Sequence, residues 1–214
     1  MPNGIIQTDL FYCDHLGVSP NDVQDISNFC VHDARGRNLK NYIQNAAFPD
    51  EASRQMRTYL VRDNFSFELV GYFSLKAGLI SYNERDIAVI DEITGEEIID
   101  EQTGKKKMRR VFDTMPGIEL ANFAVNQAYI NMHPDLKGIG LVIFNNFILP
   151  IVKQASDLVG TAIIYIFALP YEELISRYEQ YGFFRLESSI EAQINHRLKP
   201  YYDDHCIFMF QPLT

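Results

Sequence analysis

Residues 119–140, ELANFAVNQAYINMHPDLKGIG, constrain the fold more than any other part of this chain. A strand-forming run ends at Val125, a polar loop follows, and Gly138 and Gly140 open a long amphipathic helix. A strand that feeds a glycine-rich turn and then a helix start builds an anion site. The first helical turn leaves backbone N–H groups unpaired, and the helix dipole favours negative charge there. Glycine at such a turn lets an anion approach the backbone with no Cβ in the way.

The remaining pattern is helices, a hairpin, then strand, helix, strand, helix, strand. Residues 19–32 read as an amphipathic helix, with Ser19 as N-cap, Pro20 at the first position, and Val23, Ile26 and Phe29 on one face. Further helical pieces cover residues 39–47 and 49–57. Residues 58–62 and 68–75 pair as a hairpin around Asp63-Asn64. Residues 141–158 form an amphipathic helix that Pro150 should kink and Gly160 should cap. Residues 161–169, TAIIYIFAL, have the β-branched and aromatic continuity of a strand buried on both faces. A helix over 171–181, stopped by Gly182, a short strand at Phe183-Phe184, a helix with capping-box spacing from Ser188 to Glu191, closed by Pro200, and a strand at 207–210 complete the chain. Strand–helix–strand connections imply parallel neighbours and the hairpin implies antiparallel ones, so a mixed twisted sheet flanked by helices follows.

Residues 83–116 read as an inserted β-ribbon. It carries a small duplication, DEITG at 91–95 and DEQTG at 100–104, each placing glycine where a tight turn needs positive φ. It also holds the densest basic run, Lys105, Lys106, Lys107, Arg109 and Arg110. Such lysines protect an exposed strand edge, or they form a contact patch.

With 214 residues and 47% hydrophobic content, one domain with one core is expected. The formal charge of −9 argues against a nucleic-acid backbone as the main ligand. Three cysteines do not make a disulfide framework, and none of the Cys/His pairs has zinc-site spacing, so no metal is expected. No membrane span or secretion signal is read, and a cytoplasmic location is expected.

A second motif gives the opening segment its meaning. RYEQYGFF at 177–184 carries Tyr-x-x-x-Gly-Phe from Tyr178, and residues 135–140 read Asp-Leu-Lys-Gly-Ile-Gly. Together they resemble the GNAT acetyltransferase superfamily, whose pyrophosphate loop is usually Gln/Arg-x-x-Gly-x-Gly/Ala. TYLV at 58–61 and VGYFSL at 70–75 resemble its hairpin, with phrasing similar to the toxin branch that acetylates aminoacyl-tRNA. The resemblance implies an α+β, three-layer fold with a mixed twisted central sheet of six to seven strands. It implies direct acetyl transfer from acetyl-CoA to an amine of a small molecule, peptide or protein, or of aminoacyl-tRNA in the toxin branch; a homodimer is common in the family. A non-catalytic acyl-CoA-binding module is the reading from another class.

By the same resemblance, the main chain of Phe123, Ala124 and Val125 would hold the pantetheine arm and polarise the thioester. Asp135, Leu136, Lys137, Gly138, Ile139, Gly140 and Leu141 would hold the pyrophosphate. Asp135 stands where the family has Gln or Arg, and Lys137 is the compensating charge. Tyr178 would protonate the leaving thiolate, unless it is a core tyrosine. Glu119 would serve as base, unless it is a strand-end glutamate in solvent; alternation gives it the face of Ala121, Phe123 and Val125. A base has work to do, because an alkylammonium of pKa about 10.4 is neutral in only about one molecule per thousand near pH 7. Tyr201, Tyr202 and Asp203 could wall a cationic substrate, or form a solvated turn.

Overall fold

The computed structural model describes residues 6–198 and 205–213; Tyr201, Tyr202, Asp203 and the helix stop at Pro200 lie outside the described residues. The strands are β1 (Ile6–Gln7), β2 (Phe11–His15), β3 (Arg57–Asp63), β4 (Leu69–Ala88), β5 (Met108–Val125), β6 (Ile163–Ala168), β7 (Phe184–Arg185) and β8 (Ile207–Pro212). They form one sheet in the order β1-β2-β3-β4-β5-β6-β8-β7, antiparallel everywhere except between β5 and β6. The mixed sheet matches the sequence reading. Its eight strands exceed six to seven because β1 and β2, near the start of the chain, extend the sheet beyond β3.

Helices α1 (Asp22–Ser27), α2 (Arg37–Asn41), α3 (Ala47–Ala52), α4 (Gln127–Met132), α5 (Ile139–Ile143), α6 (Leu149–Val159), α7 (Glu172–Gln180) and α8 (Ser188–Leu198) cover the sheet. One face packs Phe73, Leu120, Ile143, Phe144, Phe147 and Val152 into a continuous apolar cluster with Tyr178 and Tyr181. The other face carries a cluster of Phe29, Ile43, Leu60 and Tyr72, and a third cluster joins Ile194 of α8 to Tyr165 and Phe208. A π turn, Phe144–Ile148, joins α5 to α6 in one helix, Ile139–Val159. Leu149 N–H bonds the Phe144 carbonyl five residues back, just before Pro150, whose missing N–H cannot continue the regular ladder. That is the form the expected Pro150 irregularity takes. This helix is apolar enough to cross a membrane by length and composition, but its buried residues, Ile139, Ile143, Phe144, Phe147, Ile148 and Val152, all belong to the cluster packed on the sheet.

Several sequence expectations need correction. The helix expected over 19–32 is only Asp22–Ser27; Ser19 Oγ accepts from Asn21 N–H in a turn, and Val23 is 67% exposed rather than on the buried face. Its true anchor is Asp22, whose carboxylate accepts the Gly17 N–H and pairs with Arg62. β1 and β2 were not foreseen. The polar loop after Val125 contains α4, with Asn126 as N-cap accepting the Ala128 N–H. Glu191 pairs with Arg185 at 3.1 Å instead of closing a capping box.

The ribbon is the continuation of the central hairpin, not a separate unit. β4 and β5 remain paired from Gly71↔Val125 to Ala88↔Met108, with a bulge where Asn83, at φ 52°, and Glu84 stand against the partner strand. The sequence duplication is a structural one. Two tandem hairpins close at the tip, bridged at Ile90↔Glu97 and Ile99↔Lys106, with Gly95 at φ 72° and Gly104 at φ 65°. In each, an aspartate (Asp91 or Asp100) accepts backbone N–H groups from the turn that follows it.

Candidate active site

β5 and β6 pair at three positions only, Gly117↔Ile163, Ile118↔Ile164 and Glu119↔Tyr165. Beyond Glu119 they separate, although β5 stays laddered to β4 as far as Val125 and β6 stays laddered to β8 as far as Ala168. Residues 120–125 therefore present one edge with no strand beside it. Asn126 donates its N–H to the Val70 carbonyl across the β4 ladder. Alternation then turns the N–H and C=O of Val125 and Phe123 toward the open edge and those of Ala124 toward β4. Of the three residues expected to offer their backbone, Phe123 and Val125 are placed to do so and Ala124 is not.

A bulge within β5 alters a second expectation. Asn122 stands opposite Ser74 and Leu120 opposite Leu75, so Ala121 has no partner. The extra residue reverses the alternation. Glu119, opposite Lys76, lies on the other face of the sheet from Phe123, opposite Phe73, and Val125, opposite Gly71. Glu119 instead sits at the vertex of the fork, in register with Tyr165, whose phenol lies beside its carboxylate. Burial raises the Glu119 carboxyl above the usual carboxylate range, with Lys76 and Tyr165 opposing that rise. Gly78 and Gly117 leave the room this tyrosine occupies; a Cβ on Gly78 would lie within 1.9 Å of its hydroxyl. Tyr165 was not singled out from the sequence, because its pairing with Glu119 is a contact between distant segments.

The first turn of the Ile139–Val159 helix opens beside the fork. Gly138 sits at φ 68° with open space where a Cβ would be, the backbone expected of an anion-accepting turn. Gly140 serves a different need. A Cβ there would lie 2.7 Å from the Tyr181 hydroxyl and 3.8 Å from the Phe123 ring, so this glycine makes room for an aromatic side chain. Tyr181 is buried and stacks on Phe144 at 5.1 Å, bracing the α7 end against the α5 start. Gly140→Ala is expected to cost about 1–3 kcal/mol by overpacking. Adding Tyr181→Phe should recover most of that loss in a denaturation experiment, whereas additive losses would reject the contact.

Leu136 packs at the core edge, while Asp135 and Lys137 are exposed. Lys137 Nζ donates to the Pro134 carbonyl at 2.7 Å and does not pair with Asp135. Tyr178 is half-buried, edge-on to Tyr181 at 5.9 Å and to Phe183 at 5.6 Å. Its hydroxyl has no hydrogen-bond partner among the described residues, and burial together with Tyr181 holds its proton on more firmly than in a free tyrosine. The phenol is protonated at neutral pH. Arg35, also missed from the sequence, lies against the start of α7: its guanidinium is 5.2 Å from the Tyr171 ring centroid and 3.8 Å from Glu173. A hollow of about 430 Å³ adjoins it, lined by Cys30, Arg37, Lys40 and Gln44 among others.

This is the fold of the GNAT acetyltransferases. Solved structures that resemble it include a tyrosine-to-phenylalanine mutant of KacT (TM-score 0.60, 14% identity, 96% of each chain). AtaTR bound with acetyl-CoA matches with TM-score 0.60 and 17% identity, over 96% of this chain and 95% of that one. AtaT complexed with acetyl-methionyl-tRNAfMet matches with TM-score 0.59 and 16% identity, over 94% of each. No protein-family profile and no curated protein sequence matches the chain.

Proposed function

We propose that the chain is a single-domain N-acetyltransferase that moves an acetyl group from acetyl-CoA to an amine. The observation that carries this reading is the fork beside a helix start: residues 120–125 keep an unpaired strand edge against the first turn at Gly138. In this reading the pantetheine arm replaces the missing strand, bonding to the main chain of Phe123 and Val125. The diphosphate lies on the unpaired N–H groups of Ile139, Gly140 and Leu141. A backbone N–H fixed in this way stabilises the oxyanion at no reorganisation cost as the amine attacks. The C–N bond forms, the C–S bond breaks, Tyr178 gives a proton to the thiolate, and the proton shed by the new amide nitrogen passes through water to restore the phenol.

Glu119 at the vertex takes the proton from the incoming ammonium, directly or through water. Its raised carboxyl predicts an acid limb in kcat/KM displaced above the ordinary carboxylate pKa, with activity lost as pH falls through that value. Glu119→Gln should remove the limb and slow the reaction by about 10²-fold. A variant that keeps the same limb would exclude Glu119 as the base.

The acceptor we favour is the α-amine of an aminoacyl-tRNA. An α-amine of pKa about 7.7–8.0 is neutral in roughly one molecule in ten near pH 7, so it asks less of the base than an alkylamine. Arg37 and Lys40 line the hollow with no ion pair among the described residues, beside Asp33, whose charge is met by Arg35 at 2.6 Å. The similarity to AtaT, solved with acetyl-methionyl-tRNAfMet, supports the same choice. Thiol release from acetyl-CoA, compared across aminoacyl-tRNA, uncharged tRNA, alkylamines and peptides, separates the two acceptor classes. Release with alkylamines alone would discard the tRNA reading and keep the transferase.

A further inference from the structure

Lys76 takes no part in this chemistry, yet it stands beside the base. It is paired with Glu119 in the β4–β5 ladder, and such partners share one face of the sheet, with Cβ atoms about 4.5–5.5 Å apart. β3 enters the sheet opposite Leu75, so Lys76 is the first residue of β4 beyond the reach of that strand. It is exposed, and unlike Lys106, which pairs with Glu97, it makes no ion pair among the described residues. Its neighbours on the same face of β4 are Ser74 and Gly78. The Tyr165 hydroxyl fills the space over Gly78, on the side of the ribbon. On the side of the fork lie the buried Ser74 and, opposite it, the half-buried Asn122.

An acceptor amine has to reach the Glu119 carboxylate on this face. Lys76 brings a primary amine to the same place on a flexible four-carbon stem. Only about one lysine amine in a thousand is neutral near pH 7. A tethered amine beside a base and a bound thioester offsets that scarcity, because it reacts without the entropy cost of a collision. When no acceptor fills the site, the nucleophile within reach is the chain's own.

We propose that Lys76 is acetylated by its own chain when acetyl-CoA is bound and the acceptor is absent. The proposal rests on the acetyl-transfer reading. Glu119 takes one proton from the Lys76 ammonium, the Nζ–C bond forms as the C–S bond breaks, and Tyr178 protonates the thiolate, so that CoA leaves as the free thiol. The proton shed by the new amide nitrogen passes through water to restore the phenol, and Glu119 releases its own to solvent. The modification is self-limiting. It removes the Lys76 charge that, with Tyr165, opposes the rise of the Glu119 carboxyl, so the acid limb of the modified chain should stand at higher pH.

The test is incubation of the full chain with isotopically labelled acetyl-CoA and no acceptor, followed by peptide mass spectrometry. Lys76 should be labelled at least about tenfold faster than Lys153, which is exposed on α6 across the sheet. At saturating acetyl-CoA the labelling should be first order, with a rate constant that does not change on dilution of the chain. Glu119→Gln should slow it by about tenfold or more, and Lys76→Arg should abolish the fast label while melting as wild type does. Labelling of Lys76 no faster than of Lys153 would overturn the proposal. So would a rate constant that falls on dilution, which would make a second copy the donor, or one unchanged in Glu119→Gln, which would make the label background chemistry. Thiol release with added amines from a chain whose Lys76 stays unlabelled would overturn the proposal and leave the transferase standing; neither release nor label would remove both.

Discussion

Arg62→Leu is expected to lower the stability of the fold by about 3–5 kcal/mol, the cost of leaving buried carboxylates without their cation. Arg62 is 3% exposed and gathers Asp22 at 2.6 Å, Asp25 at 2.5 Å and Asp14 at 3.7 Å. It ties α1 to strands β2 and β3. For a chain of this size such a loss lowers the melting temperature by about 10 °C. Arg62→Lys should recover only part of it, because an ammonium cannot bond two carboxylates in the fork geometry of a guanidinium. The cluster also sets a pH response. Burial pushes the Asp14 carboxyl up to about 6, with Arg62 opposing the rise. A carboxyl whose folded pKa is raised contributes stability that is fully present below its unfolded pKa, near 4, and is lost as pH climbs to about 6. Asp14→Asn should therefore be more stable than wild type at pH 7 and indistinguishable from it at pH 3.5. Chemical denaturation at the two pH values gives the comparison, and equal curves at pH 7 would remove Asp14 from the account.

The second large effect belongs to catalysis. Tyr178→Phe should lower kcat for thiol release by about 10²-fold while acetyl-CoA affinity changes by less than about twofold. The ring contacts with Tyr181 and Phe183 survive the substitution, and the hydroxyl it removes bonds to nothing among the described residues, so the fold should melt as wild type does. The effect is bounded because a thiol of pKa about 8.5 is already a fair leaving group. Unchanged kcat would return Tyr178 to the role of a packing residue.

Local rules made much of this molecule legible. Gly138 and Gly160 announce positive φ at a helix start and a helix end because only a residue without Cβ adopts it freely. TAIIYIFAL reads as a buried strand because nothing else tolerates so long an apolar, β-branched run, and Asp-x-x-Thr-Gly reads as a turn wherever it occurs. What stayed hidden depends on partners distant in the chain. Ala121 is a bulge only by virtue of β4, and that one residue moved Glu119 to the opposite face. Gly140 looked like an approach for phosphate until Tyr181 filled its space. β2 mixes Asp14 and His15 into a short run whose pairing comes from β3, and Asp22 reads as a helix residue until Arg62 reaches it.

Calorimetric titration of acetyl-CoA into the full chain tests most directly whether the fork between β5 and β6 holds it. One saturable site per chain is expected, with a Kd of about 1–100 μM, about −8 to −5.5 kcal/mol. The site should be competed by desulfo-CoA, which keeps the diphosphate and pantetheine contacts. No heat and no competition at millimolar acetyl-CoA would contradict it.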